Sequence, residues 1–181
     1  MMSFARSGDT AETRTRYQNE LAALYEEYYD RIARYAFVHI GDRADAEDLA
    51  GDVFLKALKS LGSYQERGVP MQAWLFKIAH NLIVDYLRKK TKMRSQATDM
   101  ELLQLSGDDP IAQVETKIRM ERVAAAMKKL TPEQRQVVGL RFLGGLASKE
   151  VAQVMNKSDG AVREMQRAAI ERLRSMLSAE A

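Results

Sequence analysis

Residues 148–167 read SKEVAQVMNKSDGAVREMQR, and the fold follows from how this stretch is punctuated. Ala152 is small enough to let two helices cross closely. Asn156 suits a left-handed turn because its short polar side chain eases that conformation. Val151, Val162 and Met165 supply apolar contacts that lock a second helix onto the first. The spacing predicts helices from about Ser148 to Met155 and from Ser158 to Leu177, joined at Asn156-Lys157 as a helix-turn-helix. An ordinary antiparallel helix pair shares that apolar pattern, so the polar residues must separate the two. Ser158 is placed to cap the second helix, whose amides and dipole then face a phosphate. Arg163, Gln166 and Arg167 project opposite Val162 and Met165 as candidate base readers, against the plainer reading of a solvated basic face. Glu164 shares their turn and either orients Arg167 or stands away from the phosphates.

Working upstream, Thr131-Pro132-Glu133-Gln134 is an N-cap, a proline at the first helical position and a capping-box Gln. A helix therefore starts at Pro132 and carries Val137, Val138, Leu140 and Phe142 as far as Gly144-Gly145. Before it, Ile111, Val114, Ile118, Val123, Met127 and Leu130 mark another helix. From Thr91 the period lapses, and Asp108-Asp109-Pro110 breaks it, so residues 93–110 read as an interdomain linker.

Three helices precede the linker. Leu21, Leu24, Tyr25, Tyr28, Ile32, Tyr35 and Ala36 recur at helical steps. A second helix following Asp42–Asp45 carries a stripe of Ala46, Leu49, Ala50, Val53, Phe54, Ala57, Leu58 and Leu61. Gly62–Pro70, with two glycines and a proline, is a loop, and a third helix spans about Met71 to Lys90. Its buried face is Trp74, Leu75, Ile78, Ala79, Leu82, Ile83 and Tyr86. No sustained alternation of period two occurs. The chain reads as all-α: a polar tail at 1–17, a helical domain at 18–92, the flexible linker, and a second small helical domain at 111–181.

Composition narrows the function. The 181 residues contain no cysteine, which removes disulfide frameworks, thiol nucleophiles and Cys-bearing zinc sites, and suits a reducing cytoplasm. The N-terminus lacks an apolar run and nowhere are 18 consecutive residues apolar, so neither a signal peptide nor a membrane span is expected. The net charge of +3 is unevenly spread: residues 1–90 balance, residues 91–121 carry −2, and residues 122–181 carry +5. A basic module beside a neutral one is the outline of a nucleic-acid binder with a second task. No enzyme is expected, because there is no glycine-rich phosphate loop and the two histidines, His39 and His80, have no triad or ligand partners at useful spacing. No cofactor or metal is expected either, and the ten methionines read as core and interface filler.

On these residues the chain resembles the extracytoplasmic-function sigma factors of bacterial RNA polymerase, over roughly residues 20–178. DAEDLAGDVFLKAL (45–58) and AWLFKIAHNLIVDYLRKK (73–90) are similar to the family's region 2. LTPEQRQVVGLRFLGGLASKEVAQVM (130–155) followed by SDGAVREMQRAAIERL (158–173) is similar to its region 4. The resemblance implies that the second helix docks on the β′ clamp helices of core RNA polymerase through Asp45, Glu47, Asp48, Asp52 and Phe54. An acidic face would repel phosphate and suit a protein partner, whereas a simple helix-dipole role accounts for Asp42–Asp48 but not Asp52.

The resemblance also implies that the third helix and the Ser63–Val69 loop meet the minus-ten element, with Lys77, His80, Asn81 and Arg88 along one polar stripe and Tyr64 offering a ring to an unstacked base. Trp74 is assigned to the core. Region 4 would read the minus-thirty-five element with Ser158, Arg163, Gln166 and Arg167. Further implied partners are promoter DNA, the polymerase β subunit and an anti-sigma factor. The linker acids Asp99, Glu101, Asp108 and Asp109 match the family in character only. The recognition helix departs from the family's common basic pair and late Arg, having Met165 and Ala168 there. Two rivals are a stand-alone helix-turn-helix transcriptional regulator, binding an operator without polymerase, and a helical adaptor that binds only protein; steep salt dependence of DNA binding argues against the adaptor.

Overall fold

The computed structural model describes residues 6–64, 68–96 and 111–179. The elements are α1 (Arg6–Ile40), α2 (Arg43–Ser60) with a 3-10 turn at Leu61–Ser63, α3 (Met71–Gln96), α4 (Ile111–Lys128), α5 (Pro132–Val138) with a π-helical turn at Gly139–Leu143, α6 (Ser148–Met155) and α7 (Asp159–Ala179). Among the described residues there is no strand. Most of the expected linker lies outside the described residues, including Asp99, Glu101, Asp108 and Asp109. Its first positions, 93–96, continue α3, and α1 reaches back into the expected N-terminal tail as far as Arg6.

Local hydrogen bonds set the helix ends. Asp42 caps α2 by accepting from the Asp45 amide at 2.9 Å. At α5 the capping box is complete: Gln134 N–H donates to Thr131 Oγ1 at 3.2 Å, and Thr131 N–H to Gln134 Oε1 at 3.3 Å. The Arg135 guanidinium donates to the carbonyls of Met127 and Lys128, at 2.9 and 3.0 Å, and so closes α4. Between α6 and α7, Asn156 takes the left-handed conformation (φ 53°, ψ 47°).

The helices before and after the linker do not keep separate cores. Ile32, Tyr35, Val53, Leu75 and Phe76 from the first half pack in one buried cluster with Val137, Leu140, Leu146, Val151 and Val162 from the second. A second cluster joins Val38 of α1 to Met127, Leu130, Val138 and Ala169. Glycines make room there for aromatic rings. A Cβ on Gly139 would stand 2.8 Å from Tyr35 Cδ2, and one on Gly144 would stand 2.9 Å from Phe76 Cζ. Polar contacts flank this seam: Gln72 Nε2 donates to Glu150 Oε1 at 2.9 Å, and Gln153 Nε2 to the Gly68 carbonyl at 2.7 Å.

Three burial expectations are corrected by the packing. Phe76, off the expected stripe of α3, is fully buried because the second half covers it. Leu58 and Phe142, expected inside, are 52% and 58% exposed, because no described element packs over those faces.

Candidate nucleic-acid interface

The helix-turn-helix is built by the residues that punctuate it. Val151 and Val162 are fully buried, Ala152 is buried at the crossing, and Met165 is half-buried against the core. Ser158 Oγ accepts from the Ala161 amide at 3.2 Å, which caps α7. Asp159 follows as the first helical residue, and its carboxyl is held below the usual range, first by a hydrogen bond from the Ser148 hydroxyl and then by the Arg163 guanidinium. An ionised carboxylate at the start of α7 also suits the helix dipole.

Arg163, Gln166 and Arg167 share the outward face of α7 and line a shallow depression with Ile170, Glu171 and Arg174. Neither arginine is a bare charge. Arg163 Nη2 donates to Asp159 Oδ2 at 2.6 Å. Arg167 donates to Glu164 at 3.1 Å and to Glu171 at 2.9 Å, and these carboxylates hold its pKa above the ordinary guanidinium value. Glu164 therefore orients Arg167. These pairs are solvent-exposed and weak, so they aim the guanidinium groups more than they bind them. Gln166 is half-buried and accepts from Arg141, a residue of the π-helical turn. The only sign of Arg141 in the sequence is a lone cation in the apolar run VVGLRFLGG.

On α3, Lys77, Asn81 and Arg88 are exposed on one stripe, Arg88 paired with Asp85 at 2.9 Å. His80 departs from that stripe: it is half-buried, its Nδ1 lies 3.4 Å from Tyr35 Oη, and burial lowers its pKa. Tyr64 corrects a further expectation. It is only 7% exposed, donates to the Val69 carbonyl at 3.0 Å, and packs edge-on against Tyr17 and tilted against Trp74. Its ring closes the core at the base of the loop and is not presented to a base. Trp74 is half-buried against the same core.

On α2, Glu47, Asp48 and Asp52 are exposed, with Glu47 paired to Arg43 at 2.9 Å. Asp45 turns inward instead and accepts from the Tyr86 hydroxyl of α3. Phe54 is buried against Tyr25, so it shapes the helix from beneath and does not offer a surface contact. The exposed apolar neighbour that the helical period did not single out is Leu55, 57% exposed and one turn beyond Asp52. Among the described residues no group of His, Asp or Glu is placed to hold a metal, and no helix is long and apolar enough to cross a membrane.

The Sigma-70 region 2 family matches residues 24–93, and the Sigma-70 region 4 family matches residues 126–175. The chain is 35% identical over 160 residues to the ECF RNA polymerase sigma factor BldN of Streptomyces coelicolor, covering 87% of this chain and 60% of that protein's length. It is 30% identical over 155 residues to the ECF RNA polymerase sigma factor SigM of Bacillus subtilis, covering 84% of this chain and 92% of SigM. Among solved structures, the sigma factor RpoE of Bartonella quintana, crystallised with the anti-sigma factor NepR, superposes with a TM-score of 0.68 at 20% identity, covering 92% of this chain and 99% of that one. At that identity the likeness speaks for the fold.

Proposed function

Because the chain belongs to the ECF family of RNA polymerase sigma factors, we propose that it directs promoter-specific transcription initiation by tying one protein docking face to two DNA contacts. The observation that carries this reading is the outward face of α7, where Arg163, Gln166 and Arg167 line one depression above a capped, αL-turned helix-turn-helix. Such a helix enters a major groove with its first turns against base edges. The exposed acids and Leu55 of α2 would dock on the β′ clamp helices of core polymerase. The exposed stripe Lys77-Asn81-Arg88 of α3 would meet the opening minus-ten strand.

The partners then act in sequence. The polymerase supplies the chemistry of RNA synthesis, and this protein catalyses nothing; it works in the cytoplasm, where polymerase and promoter are. Docking converts two weak DNA contacts into one tethered event at high effective concentration. In the folded chain Gln153 Nε2 donates to the Gly68 carbonyl and so ties α6 to the segment just before α3. An anti-sigma protein is the third partner proposed, and the NepR complex of RpoE is an example from the same fold. Run-off transcription with purified core polymerase and a promoter library tests the reading. New initiation sites are expected on adding the protein; their absence overturns it.

A further inference from the structure

We infer that Arg141 is a positioning residue for base recognition: it pins the Gln166 amide so that only the amino group of that side chain faces DNA. This rests on the proposed minus-thirty-five reading of α7. Arg141 Nε lies 3.0 Å from Gln166 Oε1, and Arg141 Nη1 donates to the Leu146 carbonyl. A guanidinium has only donors, so the amide atom turned toward it must be the oxygen. The second hydrogen bond, to the turn before α6, holds the guanidinium plane from behind.

The consequence is a change in what Gln166 can read. An unrestrained Gln reads adenine bidentately, its oxygen accepting from N6 and its amino group donating to N7. Oε1 keeps a second lone pair, but the bond from Arg141 fixes the amide plane with Oε1 toward Arg141, so the group turned to the groove is the Nε2 donor. In the major groove, guanine offers two acceptors, O6 and N7, and thymine offers O4, whereas cytosine offers an amino donor. The pinned amide therefore favours guanine or thymine at its position, and disfavours cytosine most.

The test uses the full chain with core polymerase on promoters randomised through the upstream element. Gln166→Ala should flatten preference at one position, which identifies the base that Gln166 reads. At that position the wild-type protein should favour G or T by about tenfold over C, and over A by a smaller factor. Arg141→Leu should shift the preference there toward A, and should leave that position unchanged in the Gln166→Ala background. Arg141→Lys, which keeps a cationic donor group but loses the fork, should retain the G or T preference in part.

A wild-type preference for A at the Gln166-dependent position overturns the inference, whether or not Arg141→Leu folds. So does a loss in Arg141→Leu that is equal at every position and persists in the Gln166→Ala background, because a purely structural role acts that way. If the wild-type protein starts no transcripts, the sigma reading itself fails and the inference falls with it.

Discussion

Gly139 sits against the ring of Tyr35, so close that a Cβ would lie 2.8 Å from Tyr35 Cδ2 and 2.9 Å from Cε2. Tyr35 is fully buried and cannot swing into solvent. The three nearest atoms to that Cβ all belong to α1, so the clash acts across the seam and not within the second half. In an unstrained helix Gly→Ala stabilises by up to about 1 kcal/mol. Here overpacking should win, and Gly139→Ala should lose about 1–3 kcal/mol. A denaturant melt decides it: a raised midpoint would mean that the seam is looser than described.

Acid should weaken the same seam. His39 is half-buried with its Nε2 atom buried and unpartnered among the described residues, and desolvation first, then the charge of Arg135 and the neighbouring His80, hold its pKa down at about 3. In the unfolded chain an imidazole titrates near about 6.5. Its contribution to stability is therefore complete above pH ~6.5 and is lost progressively as the pH falls toward ~3, because the unfolded chain takes a proton that the folded chain refuses. At pH 5 this amounts to about 2 kcal/mol. His39→Leu should show a smaller drop in Tm than the wild type between neutral pH and pH ~5, although His80, also lowered by burial, adds in the same direction and remains. Equal drops in both proteins would exclude His39.

Two neighbours on α2 should behave in opposite ways. Asp48 is exposed, so Asp48→Arg should leave the circular dichroism spectrum and Tm near wild type and abolish capture of core polymerase. Phe54 is buried against Tyr25, so Phe54→Ala should cost about 3–5 kcal/mol of stability. If folded Asp48→Arg binds polymerase normally, the docking face has been misplaced, whereas unfolding of that variant would void the comparison.

Arg167 is paired with Glu164 and Glu171, and these exposed pairs aim its fork. Its removal should cost specificity more than general affinity. Arg167→Ala is expected to relax preference at one upstream base pair by about 1–3 kcal/mol and to leave the salt dependence of DNA binding nearly unchanged. A uniform loss across sequences, with a shallower salt slope, would instead make Arg167 a phosphate contact.

The turn between α6 and α7 gives a purely local prediction. Asn156 is the one non-glycine residue with positive φ among the described residues. Asn156→Gly should be close to neutral, whereas Asn156→Ala should lose about 1 kcal/mol, since a Cβ without the polar side chain meets the left-handed penalty in full. Chemical melts of the two variants compare them directly, and equal midpoints would contradict the assigned conformation.

These residues also mark how far the sequence alone reaches. The Thr131–Gln134 box, the Asn156 turn and the Ser158 cap were legible because each is a hydrogen bond or a dihedral preference spanning four residues or fewer. The outward placement of Arg163, Gln166 and Arg167 was legible for a related reason: helical periodicity separates one face of α7 from the other.

What one stripe per helix could not convey was a second buried face. Phe76 lies inside because Tyr35 and Gly144 reach it from elements distant in the chain, while Phe142 and Leu58, equally apolar, find no such cover. The same holds for Tyr64, drawn into the core by Tyr17 and Trp74, and for Gln166, whose amide is turned by Arg141 from 25 residues away. The sequence by itself determined the helices, their caps, the order of the two modules and the family. The tertiary structure decided which side chains are buried, which charges are aimed and which atom of Gln166 is free. Capping and turn energies act between near neighbours, but burial and hydrogen-bond partnership depend on segments that meet only when the chain has closed on itself.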